Sequence, residues 1–228
     1  MNRLTELLGA EHYNPGALAG KPAGESLLVD LKAIYPLILE YSIKDAGAVA
    51  ENSYRHALGF TKLVLAGVSS KWQLRLHIWN NAARHEEDLH NHRFDFSSLV
   101  LCGSLTNDTY EVGRSPSGPL FGYVEDAVPS EQLWRFTYQG RYWARRLSTR
   151  RIPSESTYSM EGDSVHRVLV GREGGVATLI LVGSDTAPST LVLRAKMVDP
   201  SAPPRHQGRL SQEEVTACLR WLGERGRA

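Results

Sequence analysis

Cysteine is nearly absent from this chain: among 228 residues only Cys102, just before a glycine, and Cys218, inside a helix-like run, occur. Two distant thiols supply neither a disulfide framework nor a thiolate cluster, so both are read as reduced packing residues and the chain as cytoplasmic. An excess of charge of one sign is missing too, with 26 Lys and Arg against 25 Asp and Glu. No global field draws the protein to nucleic acid or to an anionic membrane, so charge recognition must be local. Long hydrophobic runs are also lacking: no window approaches the roughly 18–20 apolar residues of a membrane span. The opening MNRLTELLGAEHYNPG carries acidic residues and no apolar core of a signal peptide, so none is expected.

What is present divides into three stretches. Residues 1–58 have helical texture: Leu4, Leu7 and Leu8 make a short amphipathic stretch, and Glu25 to Tyr41 carries Leu27, Leu28, Leu31, Ile34 and Tyr35 at helical spacing. Pro36 is expected to kink or end that helix near Tyr35, and Lys44 to Leu58 reads as another short helix. Residues 59–198 change to short strand-like runs punctuated by Gly, Asn, Asp, Ser and Pro, the pattern of a sandwich or barrel. Within them Gly113 to Pro129 reads as a long turn-rich loop. Residues 199–228 read as a Pro-rich connector and a C-terminal helix opened by a Ser211 and Glu214 capping box.

Two histidines one residue apart, His90 and His92 in DLHNHRFDFSSLVLCG, carry the chemical signal. Strand alternation puts both imidazoles on one face, at the opening of a strand that runs from Phe94 to the turn at Gly103. Neutral imidazole is the commonest protein ligand of divalent transition metals, and His166 in GDSVHRVLV is the candidate third ligand. Three protein ligands leave positions open for chemistry. His77 in LRLHIWN reads either as a cavity histidine or as a core histidine bonded to a backbone carbonyl. Glu87 reads as a carboxylate behind a ligand or as part of a solvated loop. Lys62 and Arg75 are candidates to hold a substrate carboxylate or phosphate, whereas strand parity turns Arg93 and Arg167 away from the site; parity points Asp95 away too, with a swing inward as a fourth ligand or as a hydrogen-bond partner of a ligating imidazole as its alternative. Tyr158 is a candidate catalytic group beside the pocket, with His77. The arginine- and aromatic-rich WRFTYQGRYWARRLSTRR fits a ribbon with a wet arginine face, and nucleic acid is not an expected partner.

The two histidine motifs together resemble those of the cupin superfamily. HNHRFDFSSLVLCG is similar to its first motif, and MEGDSVHRV to its second, although three residues separate Gly162 from His166 where the common form has two. The likeness spans about residues 59–198 and implies an all-β core with α appendages: a double-stranded β-helix (jelly-roll) barrel carrying N-terminal helices and a C-terminal helix. Within cupins the chain most resembles the three-histidine cysteine dioxygenase group. By that likeness Lys62 in GFTKLVL stands where the substrate-carboxylate arginine would be. Ser97 takes the place of the crosslinked cysteine, and of the metal-binding glutamate of many cupins, and is a substrate-binding candidate. Val182 and Ile180 replace the tyrosine and its supporting histidine, which argues against thiol chemistry.

The implied function is a mononuclear non-haem Fe(II) oxygenase that takes a small polar, amino-acid-derived metabolite and O2 without 2-oxoglutarate. The same ligands accept Cu, Ni, Zn or Mn. The rival readings are a metal-dependent isomerase, lyase or cyclase, and a non-catalytic metabolite-binding cupin. The resemblance also implies a homodimer.

Overall fold

A computed structural model describes residues 15–67, 72–79, 85–128, 133–171, 175–198, 205–206 and 208–225. The stretch around Leu4, Leu7 and Leu8 and the connector 199–204 lie outside the described residues. A 3-10 turn at Pro15–Leu18 leads into α1 (Pro22–Ala33), α2 (Tyr35–Lys44) and α3 (Ala46–Glu51); α4 (Gln212–Arg225) comes last. The break between α1 and α2 falls at Ile34, and Pro36 sits in the first turn of α2, where its missing N–H has no intrahelical partner to lose. The helix expected to reach Leu58 stops at Glu51. There Ser53 Oγ donates to the Val49 carbonyl and accepts from Val64 N–H, and Tyr54–Arg55 becomes strand β1, so pairing across the sheet overrides local helical texture.

All described strand pairs are antiparallel. Between β1 and the long return strand lie β2 (Thr61–Ala66), β3 (Gln73–Trp79), β4 (His85–Glu86), β5 (Leu89–His90), β6 (Phe94–Cys102), β7 (Ser104–Arg114) and β8 (Leu120–Val128). Then follow β9 (Leu133–Pro153), β10 (Thr157–Met160), β11 (Val165–Val170), β12 (Val176–Asp185), β13 (Thr190–Arg194), β14 (Arg205–His206) and β15 (Gly208–Arg209). One sheet runs β10-β6-β12-β3-β2-β1-β15; the other runs β14-β9-β7-β11-β5-β13-β8, with β4 beside β11. Two antiparallel sheets facing each other with helices outside make the all-β core with α appendages that the sequence leads one to expect.

The first sheet is apolar on both faces. Its outer face packs Leu63, Leu65, Leu76, Leu99 and Leu179 against Leu28, Ile38 and Leu219 of the helices. Its inner face carries Phe96, Val100, Ile180 and Val182 toward Val168 and Val170 of the second sheet. Double coverage explains why eight successive residues of β12, from Val176, are buried.

The loop expected over Gly113 to Pro129 is instead mostly strand. Arg114 and Leu120 both pair with Tyr142, so β7 and β8 lie end to end along β9, and among the described residues of this stretch only 115–119 leave the ladder. The Gly, Ser and Pro cluster signals that five-residue excursion; the alternating FGYVEDAV behind it is the strand. The arginine-rich run is one strand, β9, of this hairpin, and two of its arginines pair with acids of β7, Arg145 with Glu111 at 2.5 Å and Arg146 with Asp108 at 3.7 Å.

Helix α1 approaches β6 through a glycine. A Cβ at Gly24 would collide with the Leu18 carbonyl oxygen and stand 2.6 Å from Ser97 Oγ. Gly24→Ala is therefore expected to push the helix off the sheet and lower unfolding stability by about 1–3 kcal/mol, while metal stoichiometry stays that of the parent. Urea denaturation with an unchanged midpoint would refute the close-approach argument.

Candidate metal centre

His90 ends β5 and faces His166 of β11 across a direct antiparallel pair. His92 does not open the following strand as expected. It lies between β5 of one sheet and β6 of the other, where the chain changes sheets, and its backbone N–H donates to the Gly162 carbonyl at 2.8 Å. Asn91 holds the same crossing: its side-chain oxygen accepts from Leu191 N–H at 2.7 Å. The three rings nonetheless converge, with centroids 4.6–5.1 Å apart.

Hydrogen bonds decide which nitrogens face inward. His90 Nδ1 lies 2.9 Å from the Asp88 carbonyl oxygen, and His166 Nδ1 lies 2.7 Å from Asn107 Oδ1. Both oxygens only accept, so each Nδ1 carries the proton and each Nε2 offers a lone pair. His92 Nε2 is 2.9 Å from His166 Nε2, and the three donor atoms all lie within 4.8 Å of one another. That 2.9 Å fits two adjacent ligand positions on an ion bound at about 2.0–2.1 Å. Burial pulls all three imidazoles below the usual histidine range, with His90 and His166 disfavouring charge on His92, so they are neutral donors. The donor set fits a divalent metal.

A cavity of about 120 Å³ opens in front of the triad. Several of the sequence candidates line it: Lys62, Arg75, His77 and Tyr158. Ile180 and Val182 line it as well, an apolar wall where the thiol dioxygenase pattern would need a histidine and a tyrosine. His77 stacks on Phe60 with centroids 4.3 Å apart, and its buried Nε2 has no hydrogen-bond partner among the described residues, unlike a core histidine bonded to a carbonyl. Burial pushes the Tyr158 phenol up to about 12, so it stays protonated.

Other expectations need correction. Ser97 is not at the cavity: it points from the outer face of β6 into the helical layer, accepts from Gly20 N–H at 3.1 Å and bonds Ser159 Oγ at 2.8 Å. Parity from Phe96, which faces inward, sends its neighbour outward. Arg93 does edge the cavity, 3.7 Å from Asp185, because residues 91–93 are not regular strand and parity fails there. Arg167 stays outside, as parity indicates, paired with Asp108 and Glu86. Asp95 is likewise turned away and accepts from Gly162 N–H at 2.8 Å.

Glu87, which the sequence leaves open between a carboxylate behind a ligand and a solvated loop, is enclosed beside His90. It is 5% exposed, accepts from Val168 N–H at 3.2 Å, and places Oε2 4.0 Å from His90 Nε2. Burial pushes its carboxyl up to about 8. Standing in the charged run His85 to Asp88, it has no local signature separating it from a solvated loop. Asn107 and Glu125 are buried without forewarning in the same way.

No protein-family model matches the chain, and no curated protein matches it. Among solved structures it is similar to oxalate oxidase with the substrate analogue glycolate (10% identity, 53% of this chain, 45% of that one, TM-score 0.29). It is also similar to a hydroquinone 1,2-dioxygenase from a Sphingomonas species with 4-hydroxybenzoate bound (8% identity, 54% and 64%, TM-score 0.35). A cupin superfamily protein from Desulfitobacterium hafniense gives 12% identity, 60% and 88%, and a TM-score of 0.34. The chain spans 45% to 64% of the length of the two named enzymes.

Purified protein is expected to hold one equivalent of divalent transition metal, and His90→Ala and His166→Ala to lose it, by elemental analysis. Asn107→Leu, which removes the acceptor behind His166, should weaken metal affinity by about 10–100-fold in a chelator competition. Parent-like stoichiometry in both histidine variants would sink the site.

Proposed function

We propose that the chain is a mononuclear non-haem iron enzyme of cupin type that oxidises a small polar metabolite, such as an amino-acid derivative, with O2 and without 2-oxoglutarate. The observation that carries the reading is the set of three neutral nitrogen donors, two with tautomers held by Asp88 and Asn107, facing an enclosed cavity. Iron bound there would supply the one-electron chemistry that O2 requires. With no carboxylate in the triad, the ligands leave the ion its full charge, which favours an anionic or chelating substrate. Lys62 and Arg75 stand ready for its acid group, Phe60, Trp79, Ile180 and Val182 exclude water, and His77, kept neutral by burial, presents an Nε2 with no hydrogen-bond partner among the described residues for the substrate to bond. Tyr158 can donate a hydrogen bond to a developing negative charge. The kinship with the three-histidine thiol dioxygenases extends to the ligand set alone, because Ile180 and Val182 leave no tyrosine-histidine pair.

Glu87 favours one second reading. A carboxyl that holds its proton beside His90 suits a Lewis-acid isomerase, lyase or cyclase, in which that proton is moved and O2 takes no part.

With Fe(II) restored under anaerobic conditions, an oxygen electrode is expected to record uptake that depends on substrate, is unchanged by added 2-oxoglutarate and vanishes in His90→Ala. Full turnover in the absence of O2 would replace the oxygenase reading with the Lewis-acid one.

A further inference from the structure

Lys62 and Arg75 stand on the inner face of the first sheet in an arrangement that the metal does not explain. Lys62 of β2 pairs across with His77, and Arg75 lies two residues before His77 on β3, so the two cations are diagonal neighbours facing the cavity. Their partners are neutral. Lys62 Nζ contacts the Tyr54 hydroxyl at 2.9 Å, while Arg75 Nε donates to Gln73 Oε1 at 2.7 Å and its guanidinium stacks on Phe94 at 4.8 Å. Neither takes part in a salt bridge among the described residues. Burial, with Arg75 and Arg93 nearby, holds the Lys62 amine well below the usual lysine range, and Arg75 is drawn down to about 10. Arg75 stays a cation beside an amine that burial pushes toward its neutral form, and a ligand that supplies negative charge would stabilise the charged form of both.

The three-histidine wall makes the same demand from another side, since neutral imidazoles do not compensate a dication. Much of the remaining lining is apolar and aromatic, from Phe60, Trp79, Phe96 and Ile180, with the Glu87 and Glu125 carboxyls also at the wall. We propose that the ligand of this cavity is an organic acid with two acidic groups joined by an apolar body, one held by Lys62 and Arg75 and the other at the three-histidine wall. The second half of that assignment rests on the metal-centre reading; the first does not. A diacid satisfies both positive regions at once, while its carbon body occupies the surface that water solvates poorly.

Isothermal titration calorimetry on Zn(II)-loaded protein tests this without oxygen chemistry, using succinate through suberate and homophthalate against monoacids of matched length. The tightest diacid is expected to bind at least tenfold more strongly than its monoacid. Arg75→Met and Lys62→Met should each abolish that preference, and Arg75→Lys, which keeps the charge, should restore part of it. In metal-free protein the preference should disappear, while Arg75→Met still weakens both series. Equal affinity for the two series at every length, or diacid binding indifferent to both Arg75→Met and Lys62→Met, would overturn the proposal. Failure of the oxygenase reading leaves these affinities unchanged. Failure of the triad to retain Zn(II) removes the metal reading but not the Arg75-dependent binding of monoacids.

Discussion

Two imidazole nitrogens, His92 Nε2 and His166 Nε2, stand 2.9 Å apart, and much of the barrel is organised around keeping them there. The Nε2 of His166 carries a lone pair, because its Nδ1 proton goes to Asn107. A lone pair on His92 aimed at the same point would repel it unless a proton or a cation lies between. A neutral His92 with its proton on Nε2 donates to that lone pair, and with its proton on Nδ1 it leaves both lone pairs to a shared cation; burial disfavours the imidazolium of each. Such a cluster is poor as a structural device and well suited to a cation that shares both lone pairs.

Holding it requires long-range geometry. His90 and His166 are brought together by sheet pairing, but His92 comes from the crossing between sheets, which ordinary strand periodicity does not position. Its placement depends on the Gly162 carbonyl that bonds its N–H, on Asn91 locking to Leu191, and on Asp95 fixing the Gly162 turn from the other side. The turn before His166 thus carries the neighbour of both ligands, and the extra residue between Gly162 and His166 is absorbed within it. The helices contribute at one remove. The helices cover an apolar outer face of the first sheet, while its inner face presents Lys62, Arg75 and His77 beside Phe96 and Ile180.

How much of this was legible follows from the range over which each feature is determined. The triad was readable because residue type and spacing carried it, and the β-rich middle because strands show local alternation or continuous apolar runs. Ser97 was misplaced because its partners, Gly20 and Lys21, belong to a distant part of the chain, and only the docked helical layer shows which face is outer. The stretch from Gly113 to Pro129 was misread because turn residues at its start were extended over a strand behind them. Arg93 was turned the wrong way by applying strand parity to a segment that is not strand. Glu87 was left undecided for the opposite reason: a charged residue among charged residues gives no sign that its carboxyl is enclosed.

Glu87 also bears on the chemistry. A carboxylate this near His90 would normally be expected to join the metal's ligands and reduce the ion's charge. Here Oε2 accepts from the Val168 N–H, so the carboxyl is held by the backbone of the strand that carries His166. Glu125 also lines the cavity, so its wall carries carboxyls as well as cations. An uncharged ligand of the same size would still bring no charge to the Arg75 guanidinium or to an ion at the triad, so ligand charge counts there alongside shape.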